Sequence, residues 1–283
     1  MFGGNENPTS FCTFSTLTNQ WKKVTNLLRE RNLHGSVEMS NNVVYIVGGM
    51  DNKTIEKYDA GAKHFKTVNK MKTDRYFFGI SPYKTDLFIV AGGYEDGVIT
   101  DACFLYNTVS NTFKKIGKLN TERYGLFLVN CKDTVYAIGG CDKKDEFLET
   151  IEKFDPATEN WSTIDAELNT ARTLHRAVAH EEYIYVIGGM KENKKMISNI
   201  EKFNTCTGII EIIKTKLEVA RCNFAVCSDQ SDVYIIGGYG QNKNSDLESF
   251  TRSVEIFNLE SETLQKGKHI PFADQAFTAC FCE

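Results

Sequence analysis

The chain has 283 residues, 41% of them hydrophobic and 25% charged, which is the make-up of a folded globular protein and not of a disordered or collagen-like one. Its 33 Lys and Arg against 37 Asp and Glu give a formal charge of −4 with no basic stripe, so nucleic acid is excluded as an expected partner. No run of about 18 uncharged apolar residues exists to cross a bilayer and no signal peptide opens the chain, so a cytoplasmic protein with no membrane partner is expected, its nine cysteines reduced.

Glycine doublets begin at Gly3, Gly48, Gly92, Gly139, Gly188 and Gly237, at spacings of 45, 44, 47, 49 and 49 residues. In chain order, the first copy runs Met1-Phe2-Gly3-Gly4, Phe14, Trp21, Leu27, Arg31. The second places an apolar run at 43–47 before Gly48-Gly49, then Tyr58, Phe65, Met71 and Arg75. The third repeats this with 87–91, Gly92-Gly93, Tyr106, Phe113, Leu119 and Arg123. The fourth has 135–138, Gly139-Gly140, Phe154, Trp161, Leu168 and Arg172, and the fifth 184–187, Gly188-Gly189, Phe203, Ile210, Leu217 and Arg221. The sixth closes with 233–236, Gly237-Gly238, Phe257, Leu264 and Ile270, and carries Asp274 where the others carry arginine.

The runs before the doublets are β-branched and aromatic, so they read as strands; they are continuous and not alternating, so both faces of their sheets must be covered. Turn formers such as Asp59, Asn107, Asp155-Pro156 and Asn204 separate the two bulky residues that stand seven apart in every copy, as a strand-turn-strand connection requires. Each copy therefore supplies four short strands and no amphipathic helix. Such units cover their faces by stacking radially, which is the logic of a β-propeller.

The doublet, the Tyr/Phe-Asp/Asn turn, the bulky residue seven further on and the Leu/Met-x-x-x-Arg segment resemble the kelch repeat. Glu56-Lys57-Tyr58-Asp59, Glu152-Lys153-Phe154-Asp155 and Glu201-Lys202-Phe203-Asn204 are similar to the kelch propellers of BTB-BACK-kelch ("kelch-like") proteins. The expectation is an all-β, six-bladed kelch propeller formed by residues 1–283 as one domain. The last copy is too short to make its own inner strand, so residues 276–282 are expected to close the ring by joining the blade that the N-terminus begins. Only two residues precede Gly3, so a parent with BTB and BACK domains upstream is expected.

The resemblance implies a non-catalytic protein-recognition module, the substrate receptor of a cullin-based ubiquitin ligase. Binding to actin or the cytoskeleton, and a carbohydrate-active enzyme of the mutarotase kind, are the alternatives. Neither a metal-ligand spacing nor a catalytic triad order stands out, so no metal, cofactor or catalytic residue is expected. Gly48, Gly49, Gly92, Gly93, Gly139, Gly140, Gly188, Gly189, Gly237 and Gly238 are read as structural, as are Trp21 and Trp161. Arg31, Arg75, Arg123, Arg172 and Arg221 are read the same way, with Glu56, Glu152, Glu201 and Glu255 as their natural partners.

Partner contacts map, by the resemblance, to the residues just after the doublets and just after the repeat arginines. The first set is Asn5, Met50, Tyr94, Cys141, Met190 and Tyr239, and the second Asn32, Tyr76, Tyr124, Thr173, Cys222 and Gln275. From these, Asn32, Met50, Tyr76, Tyr94, Tyr124, Thr173, Met190 and Tyr239 are expected to bind a protein or peptide, since tyrosine and methionine suit a recognition hot spot. The longest loop, Tyr239 through Ser253, and the lysine-rich loops 141–149 and 190–198 are expected to flank the same face.

Overall fold

The computed structural model of the chain describes residues 1–39, 42–242 and 247–280. Every regular element there is a β-strand, apart from one 3-10 turn at Glu192–Lys194. Five antiparallel four-stranded meanders follow one another along the chain. Sheet 1 is Gly35–Met39, Val43–Val47, Thr54–Asp59 and His64–Lys70; sheet 2 is Gly79–Lys84, Leu87–Ala91, Cys103–Asn107 and Thr112–Lys115. Sheet 3 is Phe127–Cys131, Thr134–Ile138, Thr150–Asp155 and Asn160–Glu167; sheet 4 is Arg176–His180, Tyr183–Ile187, Asn199–Asn204 and Ile210–Lys216. Sheet 5 is Ala225–Asp229, Asp232–Ile236, Val254–Asn258 and Thr263–Lys266. A two-stranded hairpin, Ser10–Ser15 with Gln20–Asn26, precedes them.

The apolar runs ahead of the doublets are the second strands of the sheets, and they are buried on both faces. In Val43–Val47, Val44 and Ile46 point into a cluster with Phe2, Phe11, Leu27 and Phe65, while Tyr45 and Val47 point the other way toward Phe88, Val90 and Tyr106 of sheet 2. Further clusters lie between sheets 2 and 3, 3 and 4, and 4 and 5. Sheet 5 packs in turn on Met1, Cys12 and Phe277. A strand covered on both sides has no polar face to offer, which is why its sequence does not alternate.

Both ends of the chain meet at the hairpin. The Phe2 amide donates to the Thr278 carbonyl at 2.8 Å and the Thr278 amide returns a bond to Phe2 at 3.2 Å. Phe2 also bridges to Phe11 and stacks on its ring at 4.9 Å. The described part of the C-terminal run pairs through this single bridge and not as a regular strand, because Phe2 stands between it and Ser10–Ser15; residues 281–282 of the expected strand lie outside the described residues.

The first strands of successive sheets neighbour one another around a narrow channel of about 90 Å³. At its mouth, the residue two after each repeat Arg, or after Asp274, adopts left-handed backbone angles: Leu33, Phe77, Gly125, Leu174, Asn223 and Ala276, with φ between 53° and 64°. Four of these are neither Gly nor Asn, so the conformation costs energy at those sites. What offsets it is a cycle of backbone bonds. Phe77 donates to Leu33, Gly125 to Phe77, Leu174 to Gly125, Asn223 to Leu174, Ala276 to Asn223 and Leu33 to Ala276, all at 2.8–3.1 Å.

Candidate functional site

The face above this cycle is built on the repeat arginines, each fully or almost fully buried. The amide of the second glycine in each doublet donates to the backbone carbonyl of the next repeat Arg: Gly4 to Arg31, Gly49 to Arg75, Gly93 to Arg123, Gly140 to Arg172 and Gly189 to Arg221, at 2.8–3.1 Å. The side chain of that Arg then reaches the first glycine of the following doublet, with Nη1 donating to Gly48, Gly92, Gly139, Gly188 or Gly237 at 2.6–3.0 Å. One residue thus ties the end of one sheet's second strand to that of the next. Glycine is required because a Cβ at Gly48, whose φ is +61°, would lie 2.7 Å from the Arg75 carbonyl oxygen.

Four of the arginines are ion-paired to a carboxylate on the third strand: Arg31 to Glu56 at 2.9 Å, Arg123 to Glu152 at 2.6 Å, Arg172 to Glu201 and Arg221 to Glu255. In sheets 1, 3 and 4 the ladder shifts register at the glutamate, and the bulge aims it toward the guanidinium. Sheet 2 has Phe104 at the equivalent place. Arg75 lies over the Phe104 ring at 5.2 Å and takes its carboxylate from Glu95 at 2.8 Å, in the loop after the doublet. Asp274 keeps the backbone half of the arrangement, accepting the Gly238 amide at its carbonyl, and uses its carboxylate to accept the amides of Asn5, Glu6 and Asn7 at 2.9–3.1 Å. The strand that follows it, Ser10–Ser15 of the first copy, has Cys12 where four of the other copies carry the glutamate, so the cation and its anion are replaced together.

The two sets of rim positions are cross-strand partners. Asn32 accepts the Met50 amide, Tyr76 pairs with Tyr94, Tyr124 with Cys141, Thr173 with Met190, Cys222 with Tyr239, and Gln275 accepts the Asn5 amide. The pairs ring the channel mouth but are unequal in surface. Met50 is exposed; Asn32, Tyr76, Tyr94, Tyr124, Met190 and Tyr239 are half-buried. Thr173 is a correction: it is 1% exposed and its hydroxyl donates to the Gly125 carbonyl at 3.3 Å, so it packs under the rim and offers nothing to a partner. Cys141 and Cys222 are buried in the same way.

On one side the rim becomes an aromatic cluster. Tyr76 and Tyr94 stack at 5.0 Å with an interplanar angle of 7°, Tyr124 lies 4.9 Å from Tyr94, and Phe77 closes the group at 6.1 Å from both Tyr76 and Tyr124. Phe77 escaped the sequence reading; the signal was its place two residues after Arg75, where the left-handed turn lifts its ring beside the tyrosines. Burial raises the Tyr124 hydroxyl, and the Cys141 thiol hydrogen-bonded to it adds to the rise. Tyr94 is raised by burial and by Tyr76, against the opposing bond from Tyr124.

Tyr239 stands apart from this group, edge-on to Phe250 at 5.7 Å. The polar loop expected from Tyr239 to Ser253 is in part a ribbon, Val219–Cys222 with Tyr239–Asn242 and Glu248–Phe250; its residues 243–246 lie outside the described residues. The channel below is lined by apolar side chains such as Leu33, Phe78, Leu126 and Phe127 and by the polar His34, Ser36, Arg176, Asn223 and Thr278 in nearly equal measure. Among the described residues no three metal-ligating side chains gather, and no helix is long and apolar enough to cross a membrane.

Two overlapping matches, residues 1–189 and 125–282, align the chain with the KLHDC2/KLHL20/DRC7 Kelch-repeats domain. The chain belongs to the kelch-repeat family. Its all-β sheets fit the β-propeller that such repeats build. Kelch-like protein 40 of Xenopus laevis is 30% identical over 149 residues, covering 48% of this chain and 24% of that protein. Kelch-like protein 41a of Danio rerio is 28% identical over 153 residues, covering 49% and 25%. Alpha-scruin of Limulus polyphemus is 26% identical over 154 residues, covering 49% and 17%. The kelch chain spans a quarter or less of the length of these curated relatives.

Proposed function

We propose that the chain is a six-bladed kelch propeller acting as a non-catalytic protein-recognition module, with its partner bound on the rim at Tyr76, Phe77, Tyr94 and Tyr124. The observation that carries the reading is the cluster of four half-buried rings at the channel mouth. Large rigid aromatics left partly in water at a concave rim are the anchors from which protein-binding hot spots are made. The blade count and the joint at the hairpin are supported by the cycle of six backbone bonds and by the packing of Met1 and Phe277 on sheet 5.

Similarity to kelch-like proteins supports a finer reading, in which the parent places BTB and BACK domains upstream and serves as a cytoplasmic adaptor for a cullin-type ligase. In that arrangement this propeller selects the target. The test is affinity capture from a cell extract with the wild type and with Tyr76→Ala, Tyr94→Ala and Tyr124→Ala, each checked for folding by circular dichroism. Loss of the same captured proteins in folded variants is the expected result. Unchanged capture by all three refutes the rim assignment, and co-sedimentation with actin filaments that persists in the three variants moves the function to the cytoskeletal alternative.

A further inference from the structure

The aromatic cluster is bordered by carboxylates that, among the described residues, form no ion pair. On one flank, Asp74 precedes Arg75, and its two oxygens accept the amides of Asp51 at 3.1 Å and Asn52 at 3.3 Å, which draws the turn carrying Asp51 toward Tyr76. On the other flank, the Asp142 carboxylate accepts the amides of Lys144 and Glu146 at 2.8 and 2.9 Å and so shapes the turn whose exposed tip is Asp145. Asp74 and Asp51 act on the Tyr76 hydroxyl, and Asp145 acts on those of Tyr94 and Tyr124, each adding to the rise that burial causes. Negative charge thus stands on both flanks of the rings.

Cations in the same loops are mostly engaged elsewhere. Arg75 holds Glu95, Lys53 lies 3.8 Å from Asp96, and Lys143 lies 2.9 Å from Glu122. Among the described residues of these loops this leaves Asp51, Asp74, Asp142, Asp145 and Glu146 outside any ion pair, against Lys72 and Lys144. The surplus is local to this sector, since the loop after Met190 carries Lys191, Lys194 and Lys195, all exposed.

We propose that the segment recognised at this rim is basic and presents an arginine to the tyrosine cluster, its guanidinium on a ring face and its edge toward the exposed Asp51 or Asp145. This rests on the rim reading above and adds the chemistry of the partner. A guanidinium is the cation that stacks on an aromatic face while its in-plane N–H groups meet a carboxylate. The protein uses that combination itself one layer below, where Arg75 lies on Phe104 and pairs with Glu95. An acidic segment here would meet like charge.

The test is panning of a random dodecapeptide phage library on the wild type, followed by synthesis of the best peptide and anisotropy titrations. Three proteins are compared: the wild type, Tyr94→Ala, and the pair Asp51→Asn/Asp145→Asn. Both aspartates have left-handed angles, φ 57° and 62°, which asparagine tolerates, so the neutralised variant keeps its turns. The expected result is enrichment of arginine-bearing peptides, with binding weakened about tenfold by the double Asn variant and further by added salt. Neutral or acidic peptides that need Tyr94 but not the aspartates overturn the basic-partner inference and leave the rim reading standing. Peptides indifferent to Tyr94, or no selected peptide at all, overturn both.

Discussion

Replacing Arg172 by Met separates a buried ion pair from its surroundings without changing side-chain length much. Arg172 and Glu201 both have side chains 0% exposed. The guanidinium also donates to the carbonyls of Gly188 at 2.9 Å and Thr170 at 3.2 Å and to Asn199 Oδ1 at 2.9 Å. Among the described residues its loss leaves Glu201 with the Asn169 amide and side chain as donors, deep between two sheets. Removing one member of such a pair costs about 3–5 kcal/mol, because the remaining charge stays buried without its counter-ion. Adding Glu201→Gln, which removes that charge and keeps the acceptor for Asn169, should restore about half of the loss. Glu95→Gln supplies the contrast. Glu95 is 26% exposed, and Arg75 retains the Gly92 and Ala102 carbonyls and the face of Phe104, so about 1 kcal/mol is expected. Urea unfolding of the four proteins gives the values. The reasoning is refuted if Arg172→Met costs no more than Glu95→Gln, or if the second substitution makes Arg172→Met worse.

Two further outcomes follow from buried groups. His34 is buried and its pKa is lowered to about 3, chiefly by desolvation, and desolvation holds His175 well below its ordinary value too. The unfolded chain takes up these protons near pH 6.5 while the folded one does not, so stability is present in full above that pH and is lost as pH falls toward 3. Each histidine should remove about 2 kcal/mol between pH 7 and pH 5, and a His34→Gln/His175→Gln variant with an equally steep acid slope would show that other groups are responsible. Phe277 is 0% exposed and packs with Met1, Cys12 and Ile270 on sheet 5, so Phe277→Ala should cost about 3–5 kcal/mol; a loss under about 1 kcal/mol would mean the tail is not part of the core.

Local chemistry made most of the repeat readable. A β-branched run ending in Gly-Gly, a turn former between two bulky residues, and an arginine four after Leu or Met are each short-range patterns, and the strands of sheets 1 to 5 lie where those patterns fall. The aromatic rim was readable as positions only. That Tyr76, Tyr94 and Tyr124 share one cluster depends on cross-strand pairing within sheets and on the turn between neighbouring sheets, which no single segment encodes. Thr173 occupies the same register as Tyr76 and Tyr124, yet its smaller side chain reaches the Gly125 carbonyl and disappears beneath the rim.

Spacing and side-chain type were thus enough to determine the sheet-forming unit, its recurrence every 44 to 49 residues and the arginine that recurs in it, because each depends on neighbours within a few residues. Tertiary structure alone decided where charge ends up. It turned Glu95 toward Arg75 when Phe104 took the usual carboxylate's place, gave Asp274 the amides of Asn5 to Asn7 to bind, and gathered Asp51, Asp74 and Asp145 around one set of rings. The cause is that a buried or clustered charge takes its partner from whatever the packed sheets bring within reach, at separations along the chain that range from 20 residues to 269.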